Sequence, residues 1–285
     1  MRSSHKKVAS AILAVYNSEK TIGNALTSLL AQSEPIEIIV VDDGSTDNTI
    51  TTIIRIIEVS KNPHIRLLKQ NHQGPAIARN LGAKEASTNI LLFVDADMVF
   101  DRHYVRKLIK PITNKEVIGT YTVEERVLNW DNKLARFWNY QQGWADRKRF
   151  PPNPPLAGTD YRAILKKDFE MVGGFDNIGY TDTWTLFQKL GVRPLATRAI
   201  CYHKNPDTYK QVFHQAKWAA KRPYKLGVIG FVIALIRASP IFSFIVGAYQ
   251  SIKNRDPSLI PFRIVYDLGR FIGIIEMVFF QKLSK

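Results

Sequence analysis

Cysteine occurs once, at Cys201, so the chain can form neither an internal disulfide nor a cysteine-based zinc cluster. That usage fits a reducing compartment. Long apolar runs are missing too: the most apolar stretches, 226–236 and 241–249, are each too short to span a bilayer. The run at 8–15 is short for the apolar region of a signal peptide and reads as a first buried strand. No glycine-rich fingerprint of the dinucleotide-binding or P-loop type follows a strand, which disfavours both classes. Acidic residues are scarce, 25 against 40 Lys and Arg, giving a net charge of +15. Such an excess implies an anionic partner. The basic residues are scattered or flank apolar runs and no nucleic-acid motif is present, so an anionic membrane surface is expected rather than nucleic acid.

What is present suits one α/β core with an appendage. At 285 residues and 45% apolar, the chain can bury one such core and retain roughly 50–70 residues. Short β-branched runs at 8–15, 36–41, 65–68 and 90–94 alternate with helix-period stretches, the pattern of βαβ units on a largely parallel sheet. Ile22, Ala25, Leu26, Leu29 and Leu30 form the first helical stripe, with Ser18 as its expected N-cap. Ile50, Ile53, Ile54 and Ile57 form the second, and 76–86 a third helix. Later elements are expected as a strand at 117–123, an aromatic helix near 137–144, a proline-rich loop at 151–155, and helices at 182–190 and 208–221.

Two acidic clusters, Asp42-Asp43 and Asp95-Ala96-Asp97, each follow an apolar strand. In open α/β sheets that puts them in the crevice at the carboxyl ends of the strands, where ligands bind. Asp42-Asp43-Gly44-Ser45-Thr46-Asp47 also has the composition of a helix-capping βα loop. Asp95 and Asp97 suit a hard divalent cation, which takes carboxylate and substrate phosphate oxygens and offsets charge on a diphosphate leaving group.

The chain resembles glycosyltransferase family 2 in Ala14-Val15-Tyr16-Asn17-Ser18-Glu19, Val40 to Asp47, Gln73-Gly74-Pro75-Ala76-Ile77-Ala78-Arg79-Asn80, Val94 to Asp97 and Val172-Gly173-Gly174-Phe175-Asp176. The resemblance covers about residues 8–222. It implies an inverting, nucleotide-sugar-dependent enzyme with a GT-A-type, Rossmann-like α/β fold, a mixed sheet flanked by helices, and Mn²⁺ or Mg²⁺ as cofactor. By the same resemblance Tyr16, Asn17, Glu19, Asp42 and Asp43 line the nucleoside pocket, Arg79 lies near the base or diphosphate, and Asp95 holds ribose or sugar. Asp97 is the implied metal ligand with His203 beside it, and Asp160 contacts donor sugar or acceptor. Asp182 stands where the family places its catalytic base, behind Thr181 where the family usually shows glutamate; it also suits an ordinary helix N-cap. A UDP-sugar is the expected donor. Gln215-Ala216-Lys217-Trp218 departs from the Gln-x-x-Arg-Trp motif of polymerising members, which favours transfer of a single sugar.

Residues 1–222 are thus expected as the catalytic domain and 223–285 as apolar, membrane-associating helices. Lys217, Lys221, Arg222 and Lys225 precede the paired apolar runs and Lys253 and Arg255 follow them, which favours a re-entrant or interfacial hairpin bent at Pro240 on the cytoplasmic side. Arg263, Asp267 and Arg270 share one face of an apolar helix at 262–280, an in-plane amphipathic pattern. Packing of these helices on the catalytic domain or a second subunit is the alternative. The acceptor expected at such a surface is a lipid-linked or cell-envelope saccharide. Two rival functions remain: a haloacid-dehalogenase-like phosphatase using Asp95 and Asp97 after 91–94, and a non-catalytic basic membrane adaptor.

Overall fold

The computed structural model describes residues 6–144, 147–151, 153–178, 182–221, 224 and 226–280, apart from the side chains of Asp182 and Phe280. The chain forms two compact units. The first comprises Met1–Leu128, Lys148–Asn177 and Asp182–His203; the second comprises Asn129–Arg147, Ile178–Thr181 and Lys204–Lys285.

In the first unit β1 (Ala9–Val15), α1 (Ile22–Leu30), β2 (Ile36–Asp42), α2 (Thr49–Ser60), β3 (Ile65–Lys69), α3 (Pro75–Glu85) and β4 (Ile90–Asp95) follow the expected alternation. β5 (Met98–Phe100), α4 (Tyr104–Thr113) and β6 (Gly119–Val127) come next. After α5 (Lys133–Gln141), which belongs to the second unit, the first resumes with β7 (Ala163–Leu165), α6 (Lys166–Met171), α7 (Asp182–Leu190) and β8 (Leu195–His203). The sheet order is β3-β2-β1-β4-β7-β6-β8-β5. β3, β2, β1 and β4 are parallel; β7 then pairs antiparallel with both β4 and β6, β6 with β8 is parallel, and β5 with β8 antiparallel. The sheet is therefore mixed rather than largely parallel.

Both faces of the parallel half are covered, which is why β1 and β4 are almost continuous apolar runs. Ala9, Ala11, Leu13 and Val15 point into one core with Ile22, Leu26, Ile53 and Leu108, whereas Ile12 points into the other with Ala78, Phe169, Phe175 and Leu186. Gly82 lets α3 approach the sheet closely, since a Cβ there would lie 2.5 Å from Ile12 Cγ2. The cap of α1 is Thr21, not Ser18: Ser18 offers its carbonyl to the Ile22 amide and donates its own N–H to Thr49 Oγ1 at 2.7 Å.

The second unit contains α5, α8 (Tyr209–Ala220), α9 (Gly227–Arg237), α10 (Pro240–Asn254) and α11 (Leu259–Phe280). The expected aromatic helix starts earlier, at Lys133, because the Asn132 side chain accepts from the Leu134 and Ala135 amides and caps it. Phe137, Trp138, Val212, Ala216, Leu259 and Phe262 form one core; Ala220, Ala234, Ala238 and Ile274 form another. No single helix among the described residues is long and apolar enough to cross a membrane, but α9 and α10 form an apolar pair bent by 60°. The bend falls at the break before Pro240, where it was expected, and does not by itself distinguish a broken span from a re-entrant loop. α11 does not present its charges to water: Arg263 is 5% exposed and Asp267 fully buried.

Candidate functional site

Strand register brings the acidic clusters together. Val15 is paired with Asp42 and Ala14 with Asp95, so Tyr16, Asp42-Asp43 and Asp95-Ala96-Asp97 leave the sheet along one edge, at the carboxyl ends of β1, β2 and β4. Here β2 and β4 flank β1 on opposite sides, which makes this edge a topological switch point, the place where open α/β sheets bind ligands. Met98 paired with His203 adds the end of β8 to the same group.

Several expected site residues build the loops around this edge. Asp43, 2% exposed, accepts from Gln70 Nε2 at 2.6 Å, Gln73 N at 2.9 Å and Gly74 N at 2.9 Å, and pairs with His72 Nδ1 at 2.8 Å. His72 in turn stacks on Tyr16, with ring centroids 4.1 Å apart. Asn17, at φ +47°, accepts from Thr46 N at 2.8 Å through its side chain and donates its N–H to Ser45 Oγ at 2.9 Å. Glu19 holds Asn48 through its backbone N–H at 3.1 Å and its side-chain amide at 3.2 Å. Tyr16 remains exposed. The Asp42 side chain, equally buried, accepts from Ser45 N at 3.2 Å through Oδ2, and its Oδ1 has no hydrogen-bond partner among the described residues. A buried carboxylate oxygen without a donor is costly unless a ligand supplies one.

Next to it lies a network of alternating charges. Asp95 is held on one oxygen by Arg79 at 3.1 Å and on the other by Arg162 at 2.8 Å. Arg162 also faces Glu125 at 3.8 Å and Asp160 at 3.7 Å. Glu125 meets Arg149 at 3.1 Å and His203 Nδ1 at 2.8 Å, and His203 Nε2 lies 2.9 Å from Asp97 Oδ2. Burial alone would raise Asp95, but Arg162, Arg79 and His203 hold it far below the usual carboxylate range. Burial opposes ionisation of Glu125 too, yet Arg149, His203 and Arg162 hold it at about 2. For His203, burial and Arg149 favour the neutral ring, but Asp97 and Glu125 outweigh them and raise it to about 9. With His203 protonated, the four carboxylates Asp95, Asp97, Glu125 and Asp160 face four cations, Arg79, Arg149, Arg162 and His203.

Residues 10–173 match the family model described as glycosyl transferase family 2, which covers more than half of the chain. The chain belongs to glycosyl transferase family 2. Poly-beta-1,6-N-acetyl-D-glucosamine synthase of Staphylococcus aureus (strain COL) is 34% identical over 219 residues, 73% of this chain and 53% of that protein. The chain thus spans about half the length of the curated relatives it matches. Among solved structures, the mannosyltransferase PcManGT from Pyrobaculum calidifontis in complex with GDP-Man and Mn²⁺ aligns with a TM-score of 0.62 at 17% identity, over 98% of this chain and 89% of that one. S. aureus TarS 1–349 in complex with UDP-GlcNAc aligns at 0.56 and 16%, over 98% and 93%. At such identities the likeness is one of fold, the GT-A-like arrangement of a mixed sheet with flanking helices.

Family membership makes the chain a glycosyltransferase and removes the phosphatase and adaptor readings. The first also fails on geometry, because both oxygens of Asp95 are tied to arginines and neither is a free nucleophile. Asp182 heads α7, with its side chain outside the described residues. The sequence did not single out His72, Glu125, Arg149 or Arg162. Glu124-Glu125-Arg126, a charged run inside β6, was the visible signal for Glu125; the other three lie in segments without periodicity.

No group of three His, Cys, Asp or Glu side chains among the described residues could hold a metal ion. Asp97 and His203 supply one carboxylate and one imidazole side by side. The Asp97 carboxylate suits a hard divalent ion completed by substrate phosphate oxygens, whereas the His203 ring, protonated and shared between Asp97 and Glu125, would have to lose its proton and leave Asp97 before it could join.

Proposed function

We propose that the protein transfers a single sugar, with inversion, from a nucleoside-diphosphate sugar to the hydroxyl of a lipid-linked or cell-envelope saccharide. The observation that carries this reading is the meeting of the unpartnered Asp42 oxygen with the Asp95 and Asp97 clusters at one strand edge. The donor is a UDP-sugar, and UDP-N-acetylglucosamine is its first candidate. The named polymer synthase and the UDP-GlcNAc complex of a structural neighbour support that choice.

In this reading Tyr16 offers its exposed ring to the base and Asp42 Oδ1 accepts an N–H or hydroxyl of the nucleoside. Arg79 keeps Asp95 oriented toward ribose or sugar. Asp97 would hold Mn²⁺ or Mg²⁺, joined by His203 once its ring has lost its proton, and the ion would offset charge on the departing diphosphate. Asp182 accepts the proton of the acceptor hydroxyl as its oxygen attacks the anomeric carbon from the face opposite the leaving group. Single transfer is supported by Lys217, which stands near the place of the arginine of the polymerising motif but is paired with Glu276 at 2.6 Å.

Thermal stabilisation by UDP, GDP and CDP, with and without Mn²⁺ or Mg²⁺, tests the donor site in wild type and Asp97→Ala. A metal-dependent shift with UDP, absent in the variant, is expected; no shift with any nucleotide would sink the proposal. Asp182→Asn keeps the shift and loses transfer by about 100-fold or more.

A further inference from the structure

Two helices of the second unit, α9 and α10, turn many of their large apolar side chains outward. A helix that packs in water turns its large apolar side chains inward and its polar ones out. On α9 the fully buried residue is Ala234, with Ala238 at the C-cap and Phe231 and Leu235 partly buried beside it, while Ile229, Val232 and Ile236 face outward. On α10 the inward positions are Ser243 and Gly247, and Ile241, Ile245 and Ile252 are outward, Ile241 76% and Ile252 81% exposed. Charges of α11 lie inside: Asp267 binds Arg263 and Ser243 and pairs with Arg270 at 3.0 Å. The contacts use small residues, as a Cβ on Gly247 would come 3.2 Å from Arg263 Cβ, and Gly269 and Gly273 of α11 sit against α8 carbonyls. Small residues between helices and paired polar groups inside are how helices pack where their outer surface meets lipid.

We propose that the outward face of α9 and α10 docks in the plane of an anionic lipid bilayer. Three features select this occupant. From Gly227 to Arg255 there is no aspartate or glutamate, whereas Arg237, Lys253 and Arg255 are exposed, which complements anionic head groups. With 11 and 15 residues the two helices measure about 16 and 22 Å, short of the ~30 Å hydrocarbon layer. A 60° bend with Arg237 beside it would put that charge deep in the layer if the pair threaded through, but at head-group level if both helices lie flat. The face belongs wholly to the second unit, so its lipid affinity is independent of the chemistry proposed for the first.

The test is co-sedimentation of the full-length protein with phosphatidylcholine vesicles, with and without phosphatidylglycerol. Wild type is expected to bind both, more tightly with phosphatidylglycerol, and to keep part of its binding in high salt. Ile229→Glu with Ile245→Glu should lower the partition coefficient more than tenfold at an unchanged melting temperature. Lys253→Glu should remove part of the preference for phosphatidylglycerol only. Wild type left in the supernatant with both vesicles, or the double variant binding like wild type, would overturn the proposal. So would a wild-type dimer made monomeric by the double substitution with lipid binding unchanged, for then a second copy covers the face.

Discussion

Asn80 binds both backbone polar groups of Phe175, a residue 95 positions later: its Oδ1 accepts from Phe175 N at 2.9 Å and its Nδ2 donates to Phe175 O at 2.8 Å. Gly174 must precede this clasp, since its φ is +73° and a Cβ there would lie 2.5 Å from Asn80 Oδ1. Two of the motifs shared with the family are thus halves of one joint, holding α3, which carries Arg79, to the segment entering α7.

Asn80→Ala leaves the Phe175 backbone unpaired at a residue that is 3% exposed. The expected cost is about 1–3 kcal/mol. At roughly 2–4 °C per kcal/mol for a chain of this size, a thermal melt should show a fall of several degrees. Gly174→Ala should cost at least as much, because strain and collision add. An unchanged melting temperature for both would show that the clasp is not needed.

Asp42 allows a sharper separation of function from stability. Its orphan oxygen is a liability in the free protein, so Asp42→Asn, which removes the charge and keeps the shape, should leave the melting temperature unchanged or higher. Nucleotide affinity should fall about tenfold or more, since a hydrogen bond to a charged acceptor is worth roughly 1.5–3 kcal/mol. Calorimetric titration with UDP reads this directly, and wild-type affinity in the variant would exclude Asp42 from the nucleoside site.

The charge network predicts a stability plateau with two edges. Glu125 is lowered from 4.5 to about 2, so its contribution is present above pH 4.5 and is lost as pH falls toward 2. His203 is raised from 6.5 to about 9, so its contribution is complete below pH 6.5 and fades as pH rises through 9. Each amounts to at most about 3 kcal/mol. Melting temperature measured against pH should fall at both ends; His203→Gln should flatten the alkaline edge and Glu125→Gln the acid one. Alkaline edges that superimpose for wild type and His203→Gln would refute the assignment.

The parallel half of the sheet was legible because helices cover both of its faces, so β1 and β4 are almost wholly apolar and β2 carries an apolar run from Ile38 to Val41. The other half was not. β5 and β7 have three residues each, below the length at which a period can be read, and β6 carries Glu124, Glu125 and Arg126. Glu125 is tolerated there only because Arg149 and His203 neutralise it, a fact of tertiary structure that no local pattern contains. Asp42, Asp43, Asp95 and Asp97 could be found because each follows a recognisable strand; Arg149 and Arg162 could not, because the carboxylates they approach most closely, Glu125 and Asp95, lie far away in sequence. In α11 the helical stripe of Arg263, Asp267 and Arg270 was read correctly as one face, but composition alone did not tell which way that face turns.

That face makes the last prediction. Asp267 is fully buried among Arg263, Arg270 and Ser243. Asp267→Ala leaves Arg263, itself 5% exposed, as a buried charge without its carboxylate, a change that costs about 3–5 kcal/mol. Replacing both partners, Arg263→Met with Asp267→Leu, removes the charge together with its need for a partner and should recover most of the loss. Thermal melts of the two variants decide between two accounts of α11. Recovery in the double variant means the charges are tolerated inside the unit because they neutralise one another. Equal destabilisation of both would mean that Asp267 acts mainly through Ser243 and Arg270, and that the Arg263 pair is incidental.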